Sequence, residues 1–181
     1  KSSARRRAAR TVMAALYERL VKWLAPVLCF TAEEAWRSRN PGEGESVHLQ
    51  VFPETPAAWK DEALAAKWAK LRDLRRVVTG ALEVARAEKK IGSSLQAAPA
   101  VHVENTEVSA GMSAEAWNEI FIVSSHAFST KAAPADAFRI AEVPGVAVVV
   151  GLASGTKCER CWKVLPDVGT RAAHPALCTR G

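Results

Sequence analysis

Apolar residues in the first part of the chain recur at Val12, Leu16, Leu20 and Trp23/Leu24. That spacing gathers them on one side of a helix, predicted over residues 3–24 and ended or kinked at Pro26. Thr31-Ala32-Glu33-Glu34 has the form of a capping box, with Thr31 as cap and Glu34 three residues on. It predicts a short helix to about Arg39 with Trp36 turned inward. Cys29, set in an apolar run, reads as a core residue. Residues 46–52 alternate apolar and polar through Val47, Leu49 and Val51, so they read as extended until Pro53. The longest periodic stretch, 60–90, places Leu64, Trp68, Leu71, Leu74, Val78, Leu82 and Ala85 on one helical face.

The pattern then changes period. Residues 91–95 (Ile-Gly-Ser-Ser-Leu) break the helix. Residues 101–103 read as a short strand, and Ser113 caps a small helix running through Phe121. Residues 137–141 and 146–150 read as strands, and the second is so uniformly apolar that it is expected inside a sheet. The expected fold class is mainly α with a small α+β part. A helical bundle over 1–94 would be followed by a small mixed-sheet unit over 95–155 and a zinc-ribbon-like tail over 156–181.

Composition narrows the classes. With 181 residues, 49% hydrophobic and 24% charged, the chain can bury one core or two modest ones. Its longest apolar run, 143–153, is interrupted by Pro144, Gly145 and Gly151 and is too short to span a membrane. No secretory signal is read at the start. Three of the four cysteines crowd together near the end, which suits a reducing compartment, and the expected location is the cytoplasm. The chain opens at Lys1 inside a basic, helix-like run, without an initiator methionine, and is expected to be a C-terminal piece of something longer.

Charge is unevenly spread. Residues 1–100 carry 18 Lys and Arg against 11 Asp and Glu, residues 101–155 carry 2 against 6, and residues 156–181 carry 5 against 2. Two basic zones flanking an acidic spacer suggest a polyanionic partner touched at two places, though solubilising charge is the plainer alternative. Arg72, Arg76, Arg86 and Lys90 fall near a second face of the long helix, with Lys89 beside them. Such a ridge serves a nucleic acid or simply faces water.

Cys158 and Cys161 form a C-x2-C pair, and sixteen residues separate Cys161 from Cys178. In a tight turn that spacing aims two thiolates at one tetrahedral ion, and a second half at this distance fits a zinc ribbon. A second C-x2-C would need a cysteine at 181, where the chain has Gly181. His174 is the candidate fourth ligand, giving an H-x3-C second half with Cys178; capping of the turn before Pro175 is its other reading. Three reduced structural thiols remain the alternative for the cysteines. There is no Gly-rich phosphate loop, G-x-S-x-G or H-E-x-x-H, and the four histidines are scattered, so no catalytic constellation is read.

Several of these stretches resemble a known family. Leu24-Ala25-Pro26-Val27-Leu28-Cys29-Phe30-Thr31-Ala32-Glu33-Glu34-Ala35-Trp36 resembles the anticodon-binding helical domain of class I aminoacyl-tRNA synthetases. Glu88-Lys89-Lys90-Ile91-Gly92-Ser93-Ser94-Leu95-Gln96-Ala97 narrows the resemblance to isoleucyl-tRNA synthetases. So does Cys158-Glu159-Arg160-Cys161-Trp162 with Asp167-Val168-Gly169, His174-Pro175, Leu177-Cys178 and Arg180, which is similar to the C-terminal zinc finger of the bacterial enzymes. The family's pattern ends in one more cysteine, which Gly181 replaces. The resemblance implies a parent that attaches isoleucine to tRNA(Ile) with ATP and Mg2+, in domains this chain lacks. It implies a monomer, a non-catalytic tRNA-binding role for this piece beside the rest of the synthetase chain, and Arg160 and Trp162 meeting the anticodon region. A guanidinium suits phosphate or a base edge, and an indole stacks on an unpaired base. Two other readings are a finger-bearing tail of a DNA-repair glycosylase, which would need an N-terminal catalytic proline, and a protein-interaction module whose charge is incidental.

Overall fold

Ser3 begins the first helix. Its hydroxyl accepts from the Arg6 amide at 3.3 Å, and α1 runs Ala4–Leu24. The computed structural model describes residues 3–105, 107 and 109–180. After α1 come α2 (Cys29–Arg39), α3 (Glu62–Ala87), β1 (Ala100–Val103), α4 (Ala114–Phe121), β2 (Ala127–Ser129), β3 (Val146–Val149), β4 (Thr156–Lys157) and β5 (Val164–Leu165). Contacts group these into two units, Lys1–Asp61 and Glu62–Gly181. The division falls ahead of α3, not at the expected 94/95, because the apolar face of α3 shares one core with the sheet.

In the first unit α1 packs on α2 through Val21, Ala25, Ala32 and Trp36, with Val47 closing the cluster and Tyr17 at its edge. The Tyr17 hydroxyl donates to the Ala35 carbonyl at 2.6 Å. The expected α1 face is therefore rotated. Tyr17, Val21 and Ala25, four apart, meet α2, whereas Val12, Leu16, Leu20, Trp23 and Leu24 are all close to half exposed or more. Helix α2 starts at Cys29, so Thr31 lies inside it, and Leu28 at its cap makes no side-chain bond; the expected capping box does not form. Cys29 itself is exposed in the first turn of α2, a turn ahead of the buried Ala32 and Trp36.

Glu33 has a different task. One carboxylate oxygen accepts from the Val47 amide (2.8 Å) and the Ser46 hydroxyl (3.0 Å), and the other pairs with Arg37 at 2.6 Å. This tertiary clamp curls Val47–Leu49 into a 3-10 turn where alternation predicted an extended segment. Val47 is buried, while Leu49 and Val51 stay outside. The amide of Val47, followed by Ser46 and Arg37, holds the Glu33 carboxyl below its usual range. A group lowered in this way stabilises the fold above its unfolded value near 4.5 and ceases to do so as pH falls through the lower folded value. Glu33→Gln should accordingly lower the melting temperature of the protein at pH 7, and the difference from the unsubstituted chain should shrink below pH 4 or so. Thermal melts at the two pH values read this out.

The second unit is built on α3. Leu71, Leu74, Val77, Val78, Ala81, Leu82 and Ala85 line its buried side, as the periodicity predicts, but Leu64 and Trp68 in its first turns stay exposed. The sheet order is β2-β1-β3, with β1 parallel to β2 and antiparallel to β3. Helix α4 makes the crossover that a parallel pair requires. Ser113 caps α4 by accepting from the Ala116 amide, and Ile122, in the left-handed region, ends it. Trp117, Phe121, His126 and Phe128 cluster with ring centroids 5.0 to 6.2 Å apart, edge to face except for Trp117 and Phe121, which are tilted at 32°.

Two strand expectations change. Residues 137–141 contribute only a single bridge, Phe138 to Val148, not a strand. β3 consequently lies at an edge of the sheet, screened there by Phe138, with Ala147 and Val148 buried. The Phe138 ring reaches α3 at Gly80, where a Cβ would come within 2.9 Å of it. A glycine in mid-helix costs about 1 kcal/mol relative to alanine, and here it makes room for an aromatic ring.

Candidate metal centre and nucleic-acid surface

β4 and β5 form a short antiparallel hairpin, and the turn between them carries Cys158, Glu159, Arg160, Cys161 and Trp162. Gly155 precedes the hairpin at φ +116, where a Cβ would fall 2.3 Å from the Leu165 backbone, so only glycine fits. The Cys158 amide donates to the Lys163 carbonyl, and the Trp162 amide donates to the Cys158 carbonyl, both at 2.9 Å. Seventeen residues after Glu159 the chain returns, and the Glu159 amide donates to the Ala176 carbonyl at 3.1 Å.

This folding gathers the three predicted thiols. The sulfurs of Cys158, Cys161 and Cys178 all lie within 4.8 Å of one another, and those of Cys161 and Cys178 are 3.7 Å apart. Cys158 and Cys178 are buried. The Cys178 amide points at the Cys158 sulfur at 3.4 Å. Backbone amides of Cys161, Cys178 and Arg160 together bring the Cys158 thiol down to about 6, against the opposing effect of burial. Burial pushes the Cys161 thiol up. Three convergent soft donors, one of them readily ionised, fit a thiophilic ion such as zinc.

His174 does not join them. It is exposed in a turn held by its own amide on the Arg171 carbonyl and its carbonyl under the Leu177 amide, and the group of ligand atoms consists of the three thiols among the described residues. Position 181 lies outside the described residues.

Trp162 projects from the knuckle at φ 64, a left-handed conformation rare for a bulky residue. Its indole N–H donates to the Glu159 carbonyl at 3.1 Å, pinning one edge, while 62% of the residue stays exposed. Lys157 places its ammonium 5.5 Å from the ring centroid. Arg160 is exposed beside it. A fixed, open aromatic surface with cations around it suits stacking on an unpaired base. One edge of the indole is tied to the knuckle and Lys157 lies over the ring, while most of the residue remains exposed.

The cations of α3 are exposed, as predicted, but several have partners. Arg76 lies 3.8 Å from Glu142, Arg86 2.6 Å from Glu83 and Lys90 2.7 Å from Glu88. Arg72 is exposed on α3, and Lys89 follows the helix at φ 59. Exposed pairs of this kind are worth about 0–1 kcal/mol, so a phosphate can compete for the same cations.

Sequence reasoning missed the groups that fasten the finger down. The Ser124 hydroxyl, buried, donates to the Leu95 carbonyl at 2.5 Å and accepts from the Val164 amide at 2.7 Å, joining the segment after α3 to β5. Arg180 pairs with Glu119 of α4 at 3.1 Å. The Asp167 carboxylate accepts from the Thr179 amide and hydroxyl. Asp167 and Arg180 stand in the quoted motif, but nothing in their spacing gives their partners.

Residues 1–103 match the family described as the anticodon-binding domain of tRNA ligase. Residues 155–180 match a zinc finger found in FPG and IleRS. Similar proteins include the isoleucine–tRNA ligase of Agrobacterium fabrum, 51% identical over 99% of this chain, and that of Ruegeria pomeroyi, 53% identical over 97%. The isoleucine–tRNA ligase of Brucella abortus is 47% identical over 99%. In each case the chain spans only 18% of the relative's length.

Proposed function

Because the chain belongs to the family of anticodon-binding domains of tRNA ligases, we propose that it is the tRNA-reading C-terminal part of an isoleucine–tRNA ligase. The observation that carries this is joint occurrence. A helical anticodon-binding match and a finger match follow one another in a single chain, and relatives that share both over nearly its whole length are isoleucine–tRNA ligases. A glycosylase tail would share the finger alone. The partner is then tRNA(Ile). Adenylation of isoleucine and its transfer, with ATP and Mg2+, fall to the remainder of a cytoplasmic synthetase chain. The half-exposed stripe Val12, Leu16, Leu20 and Leu24 on α1 supports further polypeptide packing there, since contiguous apolar patches on a folded protein mark contact surfaces.

In this reading Cys158, Cys161 and Cys178 hold zinc, which replaces the hydrophobic core the finger lacks. Trp162 stacks on an anticodon-side base and Arg160 meets phosphate or a base edge. Arg72, Arg76, Arg86, Lys89 and Lys90 supply a second line of phosphate contacts, exchanging their carboxylate partners for RNA. Trp162→Ala should weaken binding of an anticodon stem-loop about ten- to hundred-fold, the loss of one base–aromatic stack. Arg160→Ala should reduce the slope of log affinity against log salt by about 1. Fluorescence-anisotropy titrations at several salt concentrations measure both; an unchanged affinity in Trp162→Ala removes the stacking role.

A further inference from the structure

The third thiol arrives sixteen residues after the second, and something must hold it in register with the first two. Between Cys161 and Cys178 no described residue is buried. Backbone contacts just before Cys178 are few: its own amide faces the Cys158 sulfur, the Leu177 amide donates to the His174 carbonyl, and the Glu159 amide donates to the Ala176 carbonyl. The next amide, Thr179, is taken by a side chain. Asp167 Oδ2 accepts from Thr179 N at 2.8 Å and from Thr179 Oγ1 at 2.6 Å. Asp167 is itself held, because its carbonyl accepts from the Thr170 hydroxyl at 2.8 Å and the Thr170 amide at 3.3 Å. The Arg180–Glu119 pair further on is exposed on both sides, so it restrains the turn after Cys178 only weakly.

Resting on the zinc reading above, we propose that Asp167 is a positioning residue of the metal centre: its carboxylate latches Thr179 and so sets Cys178 in the triangle of thiols. It is not a ligand. Its oxygens fall outside the group of mutually close donor atoms, and the bonding oxygen already accepts two hydrogens. The arrangement is that of an outer-shell carboxylate that fixes a ligand's backbone, a class whose loss costs metal sites about 10–100-fold in affinity. Because Thr179 offers both an amide and a hydroxyl to one oxygen, the two residues act as a unit and their substitutions should not add.

The test uses the 181-residue protein, Zn2+ competed against a chromophoric chelator, and X-ray absorption to count sulfur neighbours of the bound ion. Asp167→Ala should lower Zn2+ affinity about 10–100-fold and reduce the sulfur count from the three that the thiol group offers. Thr179→Val, which keeps the amide donor, should fall between. Asp167→Asn, which keeps an acceptor oxygen, should recover most of the loss. The double variant Asp167→Ala/Thr179→Val should be no worse than Asp167→Ala alone. A purely structural aspartate would lower the melting temperature and leave the sulfur count untouched, and that result overturns the proposal. So does additivity of the two single substitutions. If the unsubstituted protein itself binds Zn2+ without sulfur neighbours, the zinc reading fails and the latch falls with it, which separates that outcome from failure of the latch alone.

Discussion

Cys178→Ser should release the metal and unfold the finger while leaving the four α-helices in place. Across the described residues of 156–180 only Cys158 and Cys178 are buried, so the segment has no apolar core of its own. β4 and β5 pair over two residues each. Such a piece buries too little to offset the entropy of ordering its backbone, and in small finger modules metal binding supplies much of the folding free energy. Removing one of three thiolates from the gathered group should drop bound zinc from about one equivalent per chain to near none, and limited proteolysis should cut after about Thr156. The helical signal should barely change, because α1 to α4 contain none of the clustered thiols. Chelation of the unsubstituted protein should reproduce the same cleavage pattern. Elemental analysis and proteolysis of the variant together check the expectation.

Trp117→Ala should be the most destabilising single change in the second unit. Trp117 is 2% exposed and meets Phe121 and Phe128 at ring centroids of 5.1 and 5.2 Å. Its indole N–H donates to the Ser109 carbonyl at 3.3 Å. Truncation leaves a cavity between α4 and the sheet, a change that costs about 3–5 kcal/mol for a buried aromatic, on the scale of a third or more of an ordinary domain's stability of about 5–15 kcal/mol. Leu64→Ala is the control: with 49% of the residue exposed in the first turn of α3, it should shift stability by less than about 0.5 kcal/mol. Urea denaturation of both variants, followed by helical circular dichroism, gives the comparison.

How far the sequence carries the fold is clearest at α4. Ser113 and Phe121 bound it as predicted, because a serine cap and an amphipathic run agree and no tertiary contact overrides them. The extents of α1 and α3 were nearly legible from apolar periodicity alone. Residues 46–52 were not, because the deciding partner, Glu33, lies 14 residues from Val47 and no periodicity encodes it. Helix α1 shows a subtler limit. The sequence contains two apolar stripes, 12/16/20/24 and 17/21/25, and pattern alone favours the bulkier one, yet the smaller stripe meets α2 and the bulkier one is left outside the first unit's core.

The metal centre divides in the same way. The spacing of Cys158, Cys161 and Cys178 sufficed to foresee their convergence, since a C-x2-C turn dictates the local geometry. His174 lies at a plausible interval but on a turn that carries it to the surface. Ser124 and Asp167, which tie the finger to the core and to itself, act through hydrogen bonds to backbone that no spacing rule foretells. Residues that bind a ligand follow local patterns, while those that place them depend on the fold.

Whether this polypeptide reads a tRNA, as proposed, is decided by a side-by-side titration with tRNA(Ile) and an unrelated elongator tRNA at about 0.15 M salt, where the Debye length of about 8 Å already screens loose electrostatic binding. The expected result is at least about a tenfold preference for tRNA(Ile), equivalent to roughly 1.4 kcal/mol of discrimination, and loss of that preference when zinc is removed. Equal affinity for both tRNAs, with or without the metal, would contradict it.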